Sequence, residues 1–390
     1  MKGRYEEMKI MIITRHNIIN YGSVLQTMAL QNILSHMGYY SEVIDYIRDD
    51  EDYRKIAKVL VERHPRWNRN IITKKIFVCY KNFEFKLAGK KFESMRKEYL
   101  NVTSTRYSTL AELQENPPIG DVYMTGSDQV WGFIGNEQYD PAFFLDFGDK
   151  NKKRVSYAAS FGRVNISPDI LEKEREHLNS YTKITVREES AKKMIEDMGF
   201  KDVEQVLDPT LLLTRQEWDA LLCNNEEGFK YKEKKYVLVY QRRPNKKIDE
   251  YALALSKKIG LPLLRISSDL NQGVRGGKLI FIPTLSEFLQ YIKNAAFLVT
   301  DSFHGTAFAI NYNVQFVDIL PSGTSTRNMS LLELTGLEDR VVSDFNDYTC
   351  IEKIIDFTHA NLILTNQRKR SKEILNEMID GCKVENVNEN

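Results

Sequence analysis

A chain of 390 residues has room for two domains, and with 42% hydrophobic and 28% charged residues it reads as an ordinary globular protein with ample core. A formal net charge of +1 gives no ground for bulk nucleic-acid or membrane binding through charge alone. Cys79, Cys223, Cys350 and Cys382 are scattered without CxxC spacing, which argues against a disulfide frame or a zinc site, and no stretch is long and apolar enough to span a bilayer.

In chain order, Lys9–Thr14 reads as a buried first strand, Arg15–Ser23 as a loop, Val24–Leu34 as a helix ending near Gly38, and Glu42–Tyr46 as a second strand. This βαβ unit lacks GxGxxG, so a dinucleotide site is poorly supported. Asn20, Tyr21 and Gly22 stand where the helix opens and are candidates to hold a substrate; a plain turn and cap is the competing reading. Arg48 to about Leu110 is rich in Lys, Arg, Glu and aromatic residues, with helical spacing and almost no Gly. It is expected to be a helical insertion whose basic residues form a solvated face, with contact to an acidic glycan or a membrane surface as the lesser reading.

Asp121–Thr125 resumes the sheet. Ser127, Asp128 and Gln129 follow at its carboxyl end, a hydroxyl, a carboxylate and an amide that suit hydroxyl-rich ligands. Asp128 is the candidate to orient or deprotonate a sugar hydroxyl; the alternative is an Asx turn packed under Trp131. Arg154–Gly162 is a strand and turn, Pro168–Tyr181 a polar helix, and Lys183–Val186 a short strand. Arg187 then stands between a strand end and a helix start, where its planar fork suits a carboxylate or phosphate; an ion pair with Glu188 or Glu189 is the rival account. Val203–Thr210 closes this half.

Thr214–Leu222 reads as a linker helix, Asn224–Lys235 as a polar boundary, and Tyr236–Tyr240 as the start of a second sheet. Helices at Lys246–Ile259 and Leu285–Asn294 then alternate with strands at Leu263–Ile266, Leu279–Ile282, Phe297–Thr300 and Val314–Ile319, which implies parallel pairing. The junction Thr300–Ile310 is the organising stretch. An apolar strand gives way to Ser302, Phe303, His304, Gly305 and Thr306, two hydroxyls, a titratable imidazole and a Gly at a helix start that would face an anion. Ser302 as a helix cap and His304 as a core histidine is the competing account. Arg327, in the polar loop Pro321–Asn328, is a second anion candidate. Ile351–Ile379 is helical and is expected to cross back to the first domain. The expected domains are therefore 1–213, with the insertion at about 48–110, then 214–350, with a returning helix at 351–390. Two α/β, Rossmann-like domains would set their parallel sheets facing across a cleft, so that Arg187 and His304 share one ligand.

Five motifs in this order carry a family resemblance: Asn20-Tyr21-Gly22-Ser23-Val24-Leu25-Gln26, Gly126-Ser127-Asp128-Gln129-Val130-Trp131, Val186-Arg187-Glu188-Glu189-Ser190, Asp208-Pro209-Thr210 and Asp301-Ser302-Phe303-His304-Gly305-Thr306. Arg327 with Gly336–Arg340 fits too. From about Ile10 to Arg340 the chain resembles the polysaccharide pyruvyl transferase family. The resemblance implies a GT-B-like fold and transfer of pyruvate from phosphoenolpyruvate to glycan hydroxyls as a ketal, with release of phosphate, in capsule or exopolysaccharide synthesis. It implies His304 as general acid and Arg187 as a phosphoenolpyruvate ligand. The family pattern has an Arg two places before the His, where Ser302 stands here; Arg187, Arg327 and the helix start are expected to cover that loss. Partners would be phosphoenolpyruvate and a soluble or lipid-linked sugar acceptor, with no metal, no further cofactor and no nucleic acid. Met1–Glu7 shows no signal core, so the expected location is cytoplasmic or peripheral to the inner membrane face. A nucleotide-sugar glycosyltransferase and an inactive glycan-binding relative are the rivals.

Overall fold

The computed structural model describes residues 8–62, 65–133, 139–222, 229–231, 235–320 and 325–384. The opening residues 1–7, most of the polar boundary at 224–235, residues 321–324 of the polar loop and the end from 385 lie outside them. The chain divides into two units: one runs to Leu212 and resumes at Lys369, the other is Leu213–Arg368.

The first unit is built on a seven-stranded sheet. In chain order its elements are β1 (Lys9–Ile13), α1 (Tyr21–His36), β2 (Tyr40–Tyr46), α2 (Ile56–Glu62), α3 (Ile71–Tyr99), β3 (Val102–Tyr107), α4 (Leu110–Glu115), β4 (Val122–Thr125), β5 (Lys153–Ala159), α5 (Pro168–Leu178), β6 (Lys183–Val186), α6 (Glu189–Asp197), β7 (Glu204–Gln205) and α7 (Pro209–Leu212). Every pairing is parallel, in the order β3-β2-β1-β4-β5-β6-β7. The central strands are continuous apolar runs because helices cover both faces: Ile10 to Ile13 are fully buried. Helix α1 is buried all round from Tyr21 to Gln31, so it lacks the one-sided stripe of a surface helix. Asn20 caps it by accepting a hydrogen bond from the Gly22 N–H (3.1 Å).

The second unit has a five-stranded parallel sheet, order β10-β9-β8-β11-β12. Its elements are α8 (Arg215–Leu222), β8 (Val237–Tyr240), α9 (Lys246–Ile259), β9 (Leu263–Ser267), β10 (Lys278–Phe281), α10 (Leu285–Lys293), β11 (Phe297–Thr300), α11 (Phe303–Asn311), β12 (Gln315–Asp318), α12 (Thr326–Thr335) and α13 (Thr358–Val384). In both sheets the strand order reverses beside the first strand. That puts a topological switch point between β1 and β4 in one unit and between β8 and β11 in the other.

Three sequence expectations change. The helix expected from Ile351 begins only at Thr358, after a short 3-10 turn ending at Ile351 and an irregular stretch at 352–357. Val102–Tyr107, inside the span expected to be helical, is the edge strand β3; its β-branched and aromatic residues Val102, Thr103, Thr105 and Tyr107 suit a strand that is largely exposed as an edge, and the flanking helical composition hides it. Arg327 lies in the first turn of α12 and not in a loop. The last helix, α13, starts in the second unit and from Lys369 onward belongs to the first. There Ser371 Oγ accepts from the Leu207 N–H (3.0 Å), Arg370 Nη1 donates to the Gln205 carbonyl (2.9 Å), and Tyr39 donates to Asp380 (2.6 Å).

Candidate functional site

Each unit gathers polar residues at its switch point. In the first unit the loop after β4 carries Ser127, Asp128 and Gln129. Thr14, just past β1, donates to the Ser127 carbonyl (2.7 Å) and accepts from Gln26 Nε2 (3.0 Å), which ties that loop to α1. Asp128 is buried and held at φ +82°, a left-handed conformation uncommon for a residue with a Cβ. Its carboxylate accepts from Ser23 Oγ and from the Gln129 N–H, both at 2.9 Å. The carboxylate takes the N–H of the next residue, while the Val130 N–H goes to the Asp128 backbone carbonyl (2.8 Å), so the Asx turn that was the alternative reading does not form. Gln129 has room because Gly162, at φ +67°, leaves no Cβ in its way; one built there would lie 1.9 Å from Gln129 Nε2.

Arg187 sits between β6 and α6 with its side chain only 2% exposed. Nη1 donates to Asp208 Oδ2 at 2.8 Å, while Asp128 Oδ1 and Glu188 Oε2 each lie 3.7 Å from other guanidinium nitrogens. Burial alone would lower the Arg187 pKa, but Asp208, Glu188 and Asp128 together raise it above the ordinary value. Asp208 also accepts from Ser127 Oγ (2.8 Å) and from Thr210 N and Oγ1 (3.0 and 2.7 Å); Glu188 accepts from Ser160 Oγ (2.6 Å). One guanidinium therefore faces three carboxylates. The cluster thus carries an excess of negative charge, which disfavours an anion. Glu188, one of the two partners the rival ion-pair account named, lies beside Arg187 at 3.7 Å, but the close pair is with Asp208, which that account did not name.

Asn20 is spent on capping α1, and Tyr21 is buried with its ring 5.0 Å from that of Phe92. Gly22 supplies the N–H that Asn20 accepts.

In the second unit Ser302 is the N-cap of α11 and accepts from the Gly305 N–H (3.3 Å). His304 lies in the first turn, 4% exposed, with the Phe303 ring edge-on at 5.2 Å. Gly305 permits a close approach, but to the protein's own sheet: a Cβ there would lie 2.4 Å from Thr300 Oγ1 and 3.2 Å from the Tyr240 ring. Its lack of a Cβ serves this tight helix–strand packing. Thr306 Oγ1 donates to Asp318 Oδ2 (2.6 Å), and so does Asn328 Nδ2 (2.7 Å), from the α12 turn that also carries Arg327. Asp318 Oδ1 has no hydrogen-bond partner among the described residues. Burial pushes this carboxyl up to about 7, and the charge of Asp301 adds to that.

Sequence reasoning passed over the loop after β8. Asp301 accepts from the backbone N–H of Arg242 (2.6 Å) and of Arg243 (3.3 Å), which pins two exposed arginines across the switch point from the α11 start. Burial raises the Asp301 carboxyl above its usual range, against the pull of those N–H groups. Two adjacent Arg after an apolar strand were the available signal. Cationic side chains and the first turn of α11 give this switch point the character the first lacks: it suits an anion.

A family model described as polysaccharide pyruvyl transferase matches residues 20–321. No curated protein matches the sequence. Among solved structures the chain is similar to a Staphylococcus aureus MnaA–UDP co-structure, at 12% identity, TM-score 0.52 and 90% coverage of each chain. It is similar to the UDP-GlcNAc 2-epimerase of Methanocaldococcus jannaschii, at 14% identity, TM-score 0.50, covering 90% of this chain and 93% of that one. It is also similar to Anabaena Alr3699/HepE in complex with UDP and glucose, at 8% identity, TM-score 0.52, covering 97% and 100%. At such identities the likeness shows the fold alone: α/β, GT-B-like, with two Rossmann-like domains.

Proposed function

Because the chain belongs to the polysaccharide pyruvyl transferase family, we propose that it transfers pyruvate from phosphoenolpyruvate to two hydroxyls of a glycan or lipid-linked sugar, as a ketal. The observation that carries the reading is His304, in the first turn of a helix that opens at the switch point of a parallel sheet, inside the matched stretch.

Phosphoenolpyruvate carries a carboxylate and a phosphate, so its site needs cations and N–H donors. Arg242, Arg243 and Arg327, with the α11 start, supply them, and take the place of the Arg that Ser302 replaces. Protonated His304 gives its proton to the enol CH2, which becomes the methyl group, and leaves C2 electron-poor. One acceptor hydroxyl bonds to C2 and its proton returns to the imidazole. The second hydroxyl bonds as the C2–O bond to phosphate breaks, and its proton leaves with inorganic phosphate. Asp128, fixed by Ser23 and Gln129, is the acceptor-side carboxylate that orients or deprotonates a hydroxyl.

The test is phosphate release from phosphoenolpyruvate with a panel of glycan acceptors, beside calorimetry with phosphoenolpyruvate and with UDP. Phosphate release with ketal formation supports the reading. UDP binding with no phosphoenolpyruvate binding favours a nucleotide-sugar glycosyltransferase, which the UDP-bound neighbours of this fold motivate. Glycan binding that survives His304→Ala with no turnover in the parent favours an inactive binding relative.

A further inference from the structure

Helix α3 presents an apolar stripe to solvent. Ile72, Ile76, Tyr80, Phe83 and Leu87 recur every three or four residues and so lie along one face. Ile72 is 67% exposed, Ile76 56% and Phe83 58%, values that belong to no core. The stripe runs about 22 Å along the helix, at 1.5 Å per residue. The opposite face, with Phe77, Ala88, Phe92 and Met95, is buried in the first unit, so α3 is anchored and its outer face is left over.

Along the stripe the charges of this helix are predominantly positive, its other acids, Glu93 and Glu98, lying beyond the stripe. Between Ile71 and Lys91 it carries Lys74, Lys75, Lys81, Lys86, Lys90 and Lys91 against a single acid, Glu84. Glu84 is buried and held by Lys81 at 2.5 Å, so it offers nothing outward. Arg66 and Arg69, just before the helix, are exposed as well. A second copy of the chain laid on this face would set lysine against lysine. An apolar stripe flanked by lysines, with Tyr and Phe at its centre, matches a helix lying in the plane of an anionic lipid surface. Among the described residues no helix is long and apolar enough to cross a membrane.

We propose that the exposed face of α3 docks the protein on a membrane surface rich in anionic lipid. The same helix reaches the first switch point at its other end: Phe92 packs on Tyr21, and Arg96 Nη1 donates to the Asn17 carbonyl (3.3 Å). Docking through α3 would therefore bring the acceptor-side loop to the layer where lipid-linked sugars are held. The inference does not depend on the transfer chemistry, which a soluble acceptor assays separately.

The test is flotation of the full chain with vesicles of phosphatidylglycerol and phosphatidylcholine, and with phosphatidylcholine alone. Binding to the anionic vesicles that falls with salt is expected, with little on the neutral ones. Ile76→Ser with Phe83→Ser should weaken it ten-fold or more at unchanged melting temperature. Lys75→Glu with Lys86→Glu should weaken it by about five-fold per charge removed, or more. Absence of vesicle binding overturns the proposal, as does equal binding to neutral vesicles or binding that both double variants leave intact. Concentration-dependent dimers that dissociate in Phe83→Ser overturn it in favour of self-association.

Discussion

Arg187 and Asp208 form a buried ion pair at 2.8 Å, with side chains 2% and 0% exposed. Removing one member leaves the other charged in the interior, which costs about 3–5 kcal/mol. Arg187→Ala should therefore lower stability by that amount in urea unfolding. A donor-clamping Arg187 would instead raise the KM for phosphoenolpyruvate at near-native stability, so unfolding and kinetics on the same preparation decide its role.

His304→Asn keeps a hydrogen-bonding side chain but cannot carry the proton. Turnover is expected to drop by roughly 10²–10⁴-fold, the range for a positioned acid, with melting temperature near the parent's. Near-native single-turnover rates in the folded variant would remove His304 from the mechanism.

Arg242 and Arg243 should bind the donor anion. Arg242→Gln and Arg243→Gln each lose a charge-assisted contact of about 1–3 kcal/mol, read as a KM for phosphoenolpyruvate raised about ten-fold with a smaller change in kcat. An unchanged KM in both would move the donor elsewhere.

Gly305→Ala should destabilise the second unit by about 1–3 kcal/mol, because a Cβ 2.4 Å from Thr300 Oγ1 forces α11 away from the sheet. Since His304 rides on the same turn, turnover should fall with it. Differential scanning calorimetry and kcat on one sample test the coupling.

Asp318 makes stability depend on pH. Its folded pKa, about 7, lies above the ordinary 3.8, so between those values the folded chain binds more protons than the unfolded chain. Stability contributed by this group is complete below pH 4, falls as pH rises to about 7, and is level above that, a loss on the order of 4 kcal/mol. Asp318→Asn, whose amide oxygen still accepts from Thr306 and Asn328, should flatten this slope and be the more stable form at pH 7.5. Parallel slopes in urea titrations across pH 4.5–8 would count against it.

The alternation of strands and helices was legible because parallel strands covered on both faces are unbroken apolar runs, as at Ile10–Ile13 and Phe297–Val299. His304, Ser302 and Asp128 were legible because they sit immediately after such runs. What escaped depends on pairings across the chain. Arg187 meets Asp208 21 positions on, and Asp301 holds the backbone of Arg242 59 positions back; no local pattern announces either. The packing of Gly305 on Thr300 escaped because sequence shows that a Cβ is absent and not what stands in its place. Strand β3 escaped because an edge strand of Thr, Ser and Arg looks like the polar helix that precedes it.

The return of α13 gives the two units different histories during synthesis. Leu213–Arg368 is one continuous stretch and can complete its fold as soon as it has emerged. The unit begun before it cannot, because Leu207, Gln205 and Tyr39 await partners from Arg370, Ser371 and Asp380. At roughly 5–20 residues per second, the earlier unit waits about ten to thirty seconds for α13. Throughout that interval its β7 side stands open to mispairing, so refolding yield, more than final stability, is the property most exposed to changes in the last helix.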